Sequence, residues 1–262
     1  MEPVLNVSAV SMNFGGLRAL NDVQMHVCAG EIAALIGPNG AGKTTFFNCI
    51  TSIYEPSEGE VWFTPKAGVR TKLNGMKPNL VTAMGMARTF QNIRLFKNMS
   101  VLENVMIARH CRTKAGILGA LFRPLTVRQE EKEIVERSYA LLKYIGLHKW
   151  YNEQACNLPY GAQRKLEIAR ALATEPTLLL LDEPAAGMNP QETTELKQLV
   201  LRIRDEMDMA ILLIEHDMSM VMSLAERIYV MEYGCLIAEG TPAEVSSNPQ
   251  VIKAYLGEEV HA

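Results

Sequence analysis

Short β-rich runs of hydrophobic residues occupy Val4–Val10 and Leu17–Val27, and a more continuous apolar strand, Glu31–Ile36, leads directly into a glycine-rich turn. Helical patterning begins at Lys43. A strand-like stretch, Glu60–Phe63, precedes Thr64–Leu80, which is rich in Gly, Pro, Lys and Asn and reads as an exposed loop without chemistry of its own. From Val101 to Ile145 the pattern is helical: Val127, Ile134, Val135, Ser138, Leu141, Leu142 and Ile145 recur at helical spacing, with Thr126 and Gln129 as a capping box in front. Strand patterning returns at Thr177–Leu181 and Met209–Ile214, each preceded by helix-like sequence. That order predicts βαβ crossovers and a parallel sheet, an α/β chain with a helical insert between its two halves.

Composition narrows the classes. The chain has 262 residues, 48% hydrophobic and 21% charged, the balance of a globular domain with a sizeable core. With 26 Lys+Arg against 29 Asp+Glu the net charge is −3, which excludes a strongly basic nucleic-acid binder. The cysteines Cys28, Cys49, Cys111, Cys156 and Cys235 are scattered and form no CxxC pair, as expected of reduced thiols. No apolar run of about 18 residues and no basic-then-apolar start occur, so the chain is expected to be neither secreted nor membrane-spanning by itself.

The turn after Glu31–Ile36 carries the clearest chemistry. Gly37-Pro38-Asn39-Gly40-Ala41-Gly42-Lys43-Thr44 matches GxxxxGK[ST] in full, after a strand and before a helix, where a P-loop must lie. Successive backbone N–H groups approach phosphate oxygens only where side-chain bulk is small, at Gly37, Gly40 and Gly42, and the following helix adds its positive end. Lys43 then serves the β- and γ-phosphates of a nucleotide, the Thr44 hydroxyl a Mg²⁺ ion, and Thr45 an α-phosphate oxygen.

A second acidic element should end an apolar strand. Leu178-Leu-Leu-Leu-Asp182-Glu183 supplies it, with Asp182 suited to the Mg²⁺ shell and Glu183 to polarising the attacking water. The apolar run Ala210–Ile214 similarly delivers His216 at its end, either as a structural histidine or as a γ-phosphate contact.

Together these motifs resemble those of the ATP-binding subunits of ABC transporters. Leu158-Pro159-Tyr160-Gly161-Ala162 stands where that family has its LSGGQ-type signature, ahead of the helix-like Lys165–Leu172, and it agrees at Leu158 and Gly161. The resemblance implies a P-loop NTPase fold: a RecA-like core with a mixed or parallel sheet and an antiparallel β subdomain (1–91 and 158–262), and a helical subdomain (92–157). It further implies that Gly161 and the helix start after it meet the γ-phosphate of ATP held by an opposing ATPase. Gln91 resembles the glutamine that contacts Mg²⁺ or the water, Phe14 the aromatic residue that stacks on adenine, although a core phenylalanine reads nearly as well, and Asn189 a loop position usually held by aspartate.

The Tyr-Gly signature variant, Arg88–Phe96, Glu183–Pro190, Ile214–Met218 and the tail Asn248–Gly257 are similar to the ATPases of high-affinity branched-chain amino acid importers. By that resemblance the chain hydrolyses ATP at the cytoplasmic face of the cell membrane. It pairs head-to-tail with a second ABC ATPase and serves integral membrane permease subunits and, indirectly, a solute-binding protein, with no nucleic acid. Within the helical insert, Gly116–Phe122 is either part of a groove for a membrane subunit or an ordinary packing segment. Competing readings are a nucleotide-dependent assembly switch with little hydrolysis and a soluble, non-transport ABC ATPase; a nucleotide kinase leaves the signature-like segment unexplained.

Overall fold

Strands β1 (Pro3–Phe14) and β2 (Leu17–Cys28) pair antiparallel around a glycine turn in which Gly15 takes φ +58°. β3 (Ile32–Ile36) follows and delivers the chain to α1 (Lys43–Ile50). β4 (Glu58–Phe63) returns to pair with β1, and the short β5 (Thr71–Lys72) completes a four-stranded antiparallel sheet in the order β2-β1-β4-β5. The computed structural model describes residues 3–66, 68–112 and 125–259, apart from the side chains of 125, 126 and 256–259.

The second sheet is the centre of the molecule. α2 (Pro78–Met84) leads to β6 (Met86–Arg88); β7 (Leu178–Asp182), β8 (Ala210–Ile214), β9 (Arg227–Glu232) and β10 (Cys235–Gly240) join β3 and β6 in the order β10-β9-β3-β8-β7-β6. Neighbours from β9 to β6 run parallel, and only β10 is antiparallel to its partner.

Two-residue periodicity sorts each central strand between two cores. Ile32, Ala34 and Ile36 face one, Ala33 and Leu35 the other; Leu179 and Leu181 oppose Leu178 and Leu180 in the same way. That is why these strands are apolar throughout rather than alternating. On one side the core is closed by Phe46, Phe47 and Ile50 of α1 and by Leu5, Val7, Val61 and Phe63 of the antiparallel sheet. On the other it is closed by helices: α3 (Val101–Arg109), α4 (Leu125–Ile145), α5 (Tyr160–Ala173), α6 (Pro190–Met207) and α7 (Met218–Leu224). Two further helices, α8 (Pro242–Ser246) and α9 (Pro249–Glu259), follow β10.

α3 begins at a full capping box, Ser100 accepting from the Glu103 N–H and Glu103 from the Ser100 N–H. The wholly buried Asn104 then ties the helix to the segment before it: its Oδ1 accepts from Phe96 N–H at 2.9 Å, and its Nδ2 donates to the carbonyls of Phe96 and Ser100, each at 3.0 Å.

Three expectations need correction or placing. Thr64–Leu80 is not simply an exposed loop: it contains β5 and the start of α2, and Leu73 is fully buried, its N–H donating to the Val61 carbonyl at 2.8 Å. Pro78 at the first helical position of α2 is the start signal that the Gly, Pro and Asn content masked. The described part of α4 already includes Leu125, so Thr126 lies inside the helix rather than capping it. The Gly116–Phe122 run lies outside the described residues.

Candidate nucleotide-binding site

β3 ends at Ile36, and at the next residue, Gly37, φ is +153° and a Cβ would stand 2.0 Å from the Met231 carbonyl oxygen, so no side chain fits. Gly42, the N-cap of α1, has φ +103° and no side chain capping the helix; a Cβ there would meet the Ala19 carbonyl at 2.9 Å. The loop is braced from outside by the turn between β9 and β10, whose Gly234 N–H donates to Ala41 O at 2.9 Å. Lys43 is buried, and its ammonium turns back on the loop to donate to the carbonyls of Gly37 at 2.6 Å and Pro38 at 2.8 Å. A loop of this shape leaves the N–H groups at the start of α1 facing a cleft, next to a cation.

Three residues far apart in sequence meet at the opposite wall. Glu183 follows β7 in the left-handed region, φ +47°, an uncommon conformation for a residue with a long side chain. Its N–H is tied to the Ile214 carbonyl at the end of β8, 2.9 Å away. The Gln91 side-chain amide donates to Glu183 Oε2 at 2.7 Å, and His216 Nε2 lies in hydrogen-bond contact with Oε1 at 2.8 Å. Both oxygens of this carboxylate are therefore held.

Gln91, Glu183 and His216 line one cleft of about 640 Å³ together with Phe14, Arg18, Asn39, Gly40, Ala41, Gly42, Lys43, Thr44, Thr45 and Tyr233. Phe14 is 42% exposed and stacks edge-on against Tyr54 with centroids 5.4 Å apart, so it belongs to the cleft's mouth rather than to the core. Pro38 lines an adjoining hollow on the far side of the loop.

Four expected site residues do not line this cleft: Gly37 and Pro38, at the start of the loop, and Asp182 and Gly161. Asp182 is buried beneath it, with Oδ2 in an ion pair with Arg88. Gly161 is buried in the first turn of α5 against Glu192 of α6; a Cβ there would fall 2.4 Å from Glu192 Oε1. Pro159 is the N-cap of α5 and offers no side-chain hydrogen bond. Asn189 caps α6, accepting from the Glu192 N–H at 3.0 Å while Glu192 accepts from the Asn189 N–H, also at 3.0 Å.

Other residues complete the site and were not singled out by the motifs. Glu215 is buried beside His216, accepting from the Ala185 N–H at 2.8 Å and the His216 N–H at 3.1 Å; burial pushes its carboxyl above the usual range, with the nearby Glu183 charge adding to this. Tyr233, in a Tyr-Gly turn visible in the sequence, is one more, and Arg88 entered only as the start of the Arg88–Phe96 segment, with no role of its own.

Among the described residues no group of three or more His, Cys, Asp or Glu could hold a metal ion. Of the expected cation ligands, the Thr44 hydroxyl and the Gln91 amide line the cleft, whereas the Asp182 carboxylate is turned to Arg88. Oxygen donors of this kind suit a hard cation such as Mg²⁺, which keeps phosphates and waters in its shell.

The ABC transporter family profile matches residues 20–186, and that of the branched-chain amino acid ATP-binding cassette transporters matches residues 235–261. The chain is 46% identical over 257 residues to the high-affinity branched-chain amino acid transport ATP-binding protein LivG of Escherichia coli K12, covering 98% of this chain and 99% of that one. It is 44% identical over 256 residues to BraF of Pseudomonas aeruginosa, which has the same descriptive name, with 98% of each covered. Among solved structures it resembles an ATP-binding cassette of an ABC transporter in its ADP conformation, with a TM-score of 0.84, 32% identity and 98% and 100% of the two chains covered. A nucleotide-free cassette gives a TM-score of 0.83 at 32% identity, with 97% and 99% covered. With a P-loop cleft, a profile match over most of its length and such relatives end to end, the chain belongs to the ABC transporter family, as an ATP-binding cassette of the branched-chain amino acid type.

Proposed function

We propose that this chain hydrolyses ATP to drive uptake of branched-chain or related amino acids through membrane subunits carried on other chains. The observation that carries the hydrolytic part is the Gln91–Glu183–His216 cluster, a carboxylate aimed into the P-loop cleft with its orientation set from both sides. The transported class rests on the printed names of relatives that match from end to end.

In this reading the P-loop N–H groups and Lys43 bind the phosphates, and Lys43 exchanges its bonds to the Gly37 and Pro38 carbonyls for phosphate oxygens. Thr45 reaches the α-phosphate, and Phe14 stacks on the base. Thr44, Gln91 and, once released from Arg88, Asp182 would hold Mg²⁺, which would neutralise charge on the phosphates. A water in line with the γ-phosphate gives its proton to Glu183 as its oxygen bonds to phosphorus, and the bond to the bridging oxygen breaks to leave ADP and phosphate. Because Gln91 and His216 occupy both Glu183 oxygens, the water takes the place of one of them; His216 is then available for the γ-phosphate.

The uncapped start of α5 at Pro159–Gly161 is suited to an anion brought by a second ABC ATPase, the arrangement expected of a head-to-tail pair, identical or not. In this reading the helical subdomain expected at 92–157 faces the permease subunits, on the cytoplasmic side, with a solute-binding protein acting across the membrane. Among the described residues no helix is long and apolar enough to cross a membrane. A nucleotide-dependent assembly switch would not need a carboxylate held in this way.

The test is uptake of labelled leucine into vesicles loaded with ATP and reconstituted with this chain, its partner ATPase and the two membrane subunits, supplied with the binding protein. Uptake should require ATP and be lost with Lys43→Ala. Uptake that persists undiminished in that variant would overturn the reading.

A further inference from the structure

One face of α5 is turned to a single short stretch of chain, residues 90–96. Arg164, Glu167 and Arg170 lie three positions apart on the helix, and each bonds the main chain of that stretch. Arg164 Nη1 donates to the Phe90 carbonyl at 2.8 Å, and its Nη2 donates to the Gln91 carbonyl and to the Tyr160 hydroxyl, the latter at 3.0 Å. Glu167 accepts from the Arg94 N–H at 2.7 Å, Arg170 donates to the Arg94 carbonyl, and the Arg170 guanidinium lies 5.0 Å from the centre of the Phe96 ring.

Arg164 and Glu167 also pair with each other at 3.3 Å, and both are almost completely buried. A buried ion pair adds little stability over a well-packed apolar pair, so the arrangement is better accounted for by what it orients. A guanidinium fork on two successive carbonyls fixes the peptide planes on either side of Gln91. From that fixed main chain the Gln91 side chain extends to Glu183 Oε2. Hydrogen bonds therefore join the Tyr160 hydroxyl to Arg164, Arg164 to the Gln91 carbonyl, and the Gln91 side chain to the Glu183 carboxylate.

We propose that Arg164 is a positioning residue for Gln91, and that through it the start of α5 is linked to the Glu183 carboxylate of the same chain. The inference rests on the proposed roles of Gln91 and Glu183 in hydrolysis. It has a consequence for a pair of ATPases: the turn that meets the nucleotide of the opposing subunit sets how this subunit holds its own base.

The experiment measures steady-state ATP hydrolysis and fluorescent-nucleotide binding for the complete transporter carrying wild-type chain, Arg164→Met, Arg164→Lys, Gln91→Ala, the Arg164→Met/Gln91→Ala double variant and Glu183→Gln. A displacement of Gln91 by about an ångström predicts that Arg164→Met lowers kcat on the order of 10–100-fold with nucleotide affinity unchanged. Arg164→Lys, which keeps the charge and can hold one carbonyl, should be intermediate. In the Gln91→Ala background the arginine change should have no further effect, because its action passes through that side chain. Additive losses in the double variant, a wild-type kcat in either Arg164 variant, or a fall in nucleotide affinity matching that in kcat would overturn the proposal. Should Arg164→Met fail to fold, the Lys variant decides by the same cycle. Normal hydrolysis in Glu183→Gln would instead reject the reading of the site on which the inference depends.

Discussion

Arg88 and Asp182 meet at 2.7 Å with their side chains only 7% and 4% exposed, which places an ion pair directly beneath the P-loop cleft. The same guanidinium donates to Asn48 of α1 at 2.8 Å and lies 5.2 Å from the Phe47 ring and 5.1 Å from the Phe90 ring. Strands β6 and β7 and helix α1 are thus joined at one cation, and the carboxylate proposed for the Mg²⁺ shell is oriented by it. Arg88→Met should destabilise the protein by about 3–5 kcal/mol, because it leaves Asp182 buried without a counter-charge. Urea unfolding measures this, and a loss below about 1 kcal/mol, the range of an exposed pair, would contradict it.

Leu73 gives a simpler test of packing. It is fully buried in a segment whose composition suggests an exposed loop, and it joins the core beneath the antiparallel sheet. Leu73→Ala should cost about 2–5 kcal/mol by thermal or chemical unfolding, whereas a residue in a solvated loop would cost a few tenths.

Glu215 makes stability depend on pH. Its carboxyl is raised above the usual value chiefly by burial, so the folded chain binds that proton more tightly than the unfolded chain does. The favourable contribution is therefore complete below the ordinary Glu value and is lost as the pH rises through the raised one. In Glu215→Gln that loss is absent, so the stability of the variant relative to wild type should improve with rising pH across this window. A difference independent of pH, measured by unfolding at several pH values, would contradict the assignment.

The parts of the site that were legible in the sequence are those in which backbone geometry demands particular residues in order. The P-loop is one, because only glycine avoids the Met231 carbonyl at position 37. The strand ends carrying Asp182, Glu183 and His216 are others, because runs of leucine and isoleucine mark central strands and ligands gather at their ends. What was not legible depends on pairing at long range: Arg88 with Asp182 across 94 positions, or Arg164 with the Gln91 carbonyl across 73. Local signals were also masked by stronger motifs beside them. Asn189 resembles a loop position usually held by aspartate, while Asn189 and Glu192 form an ordinary capping box for α6. The strands β9 and β10 went unmarked although their Tyr233-Gly234 turn braces the phosphate loop.

The role proposed for Glu183 is tested most directly by ATP turnover in Glu183→Gln within the assembled transporter. The amide keeps the size of the side chain and cannot accept the proton of the attacking water. ATP should bind as in wild type while hydrolysis falls by about 10²–10⁴-fold, the usual contribution of a general base. Hydrolysis at the wild-type rate would show that Glu183 is not the base, and that its contacts with Gln91 and His216 serve only the fold.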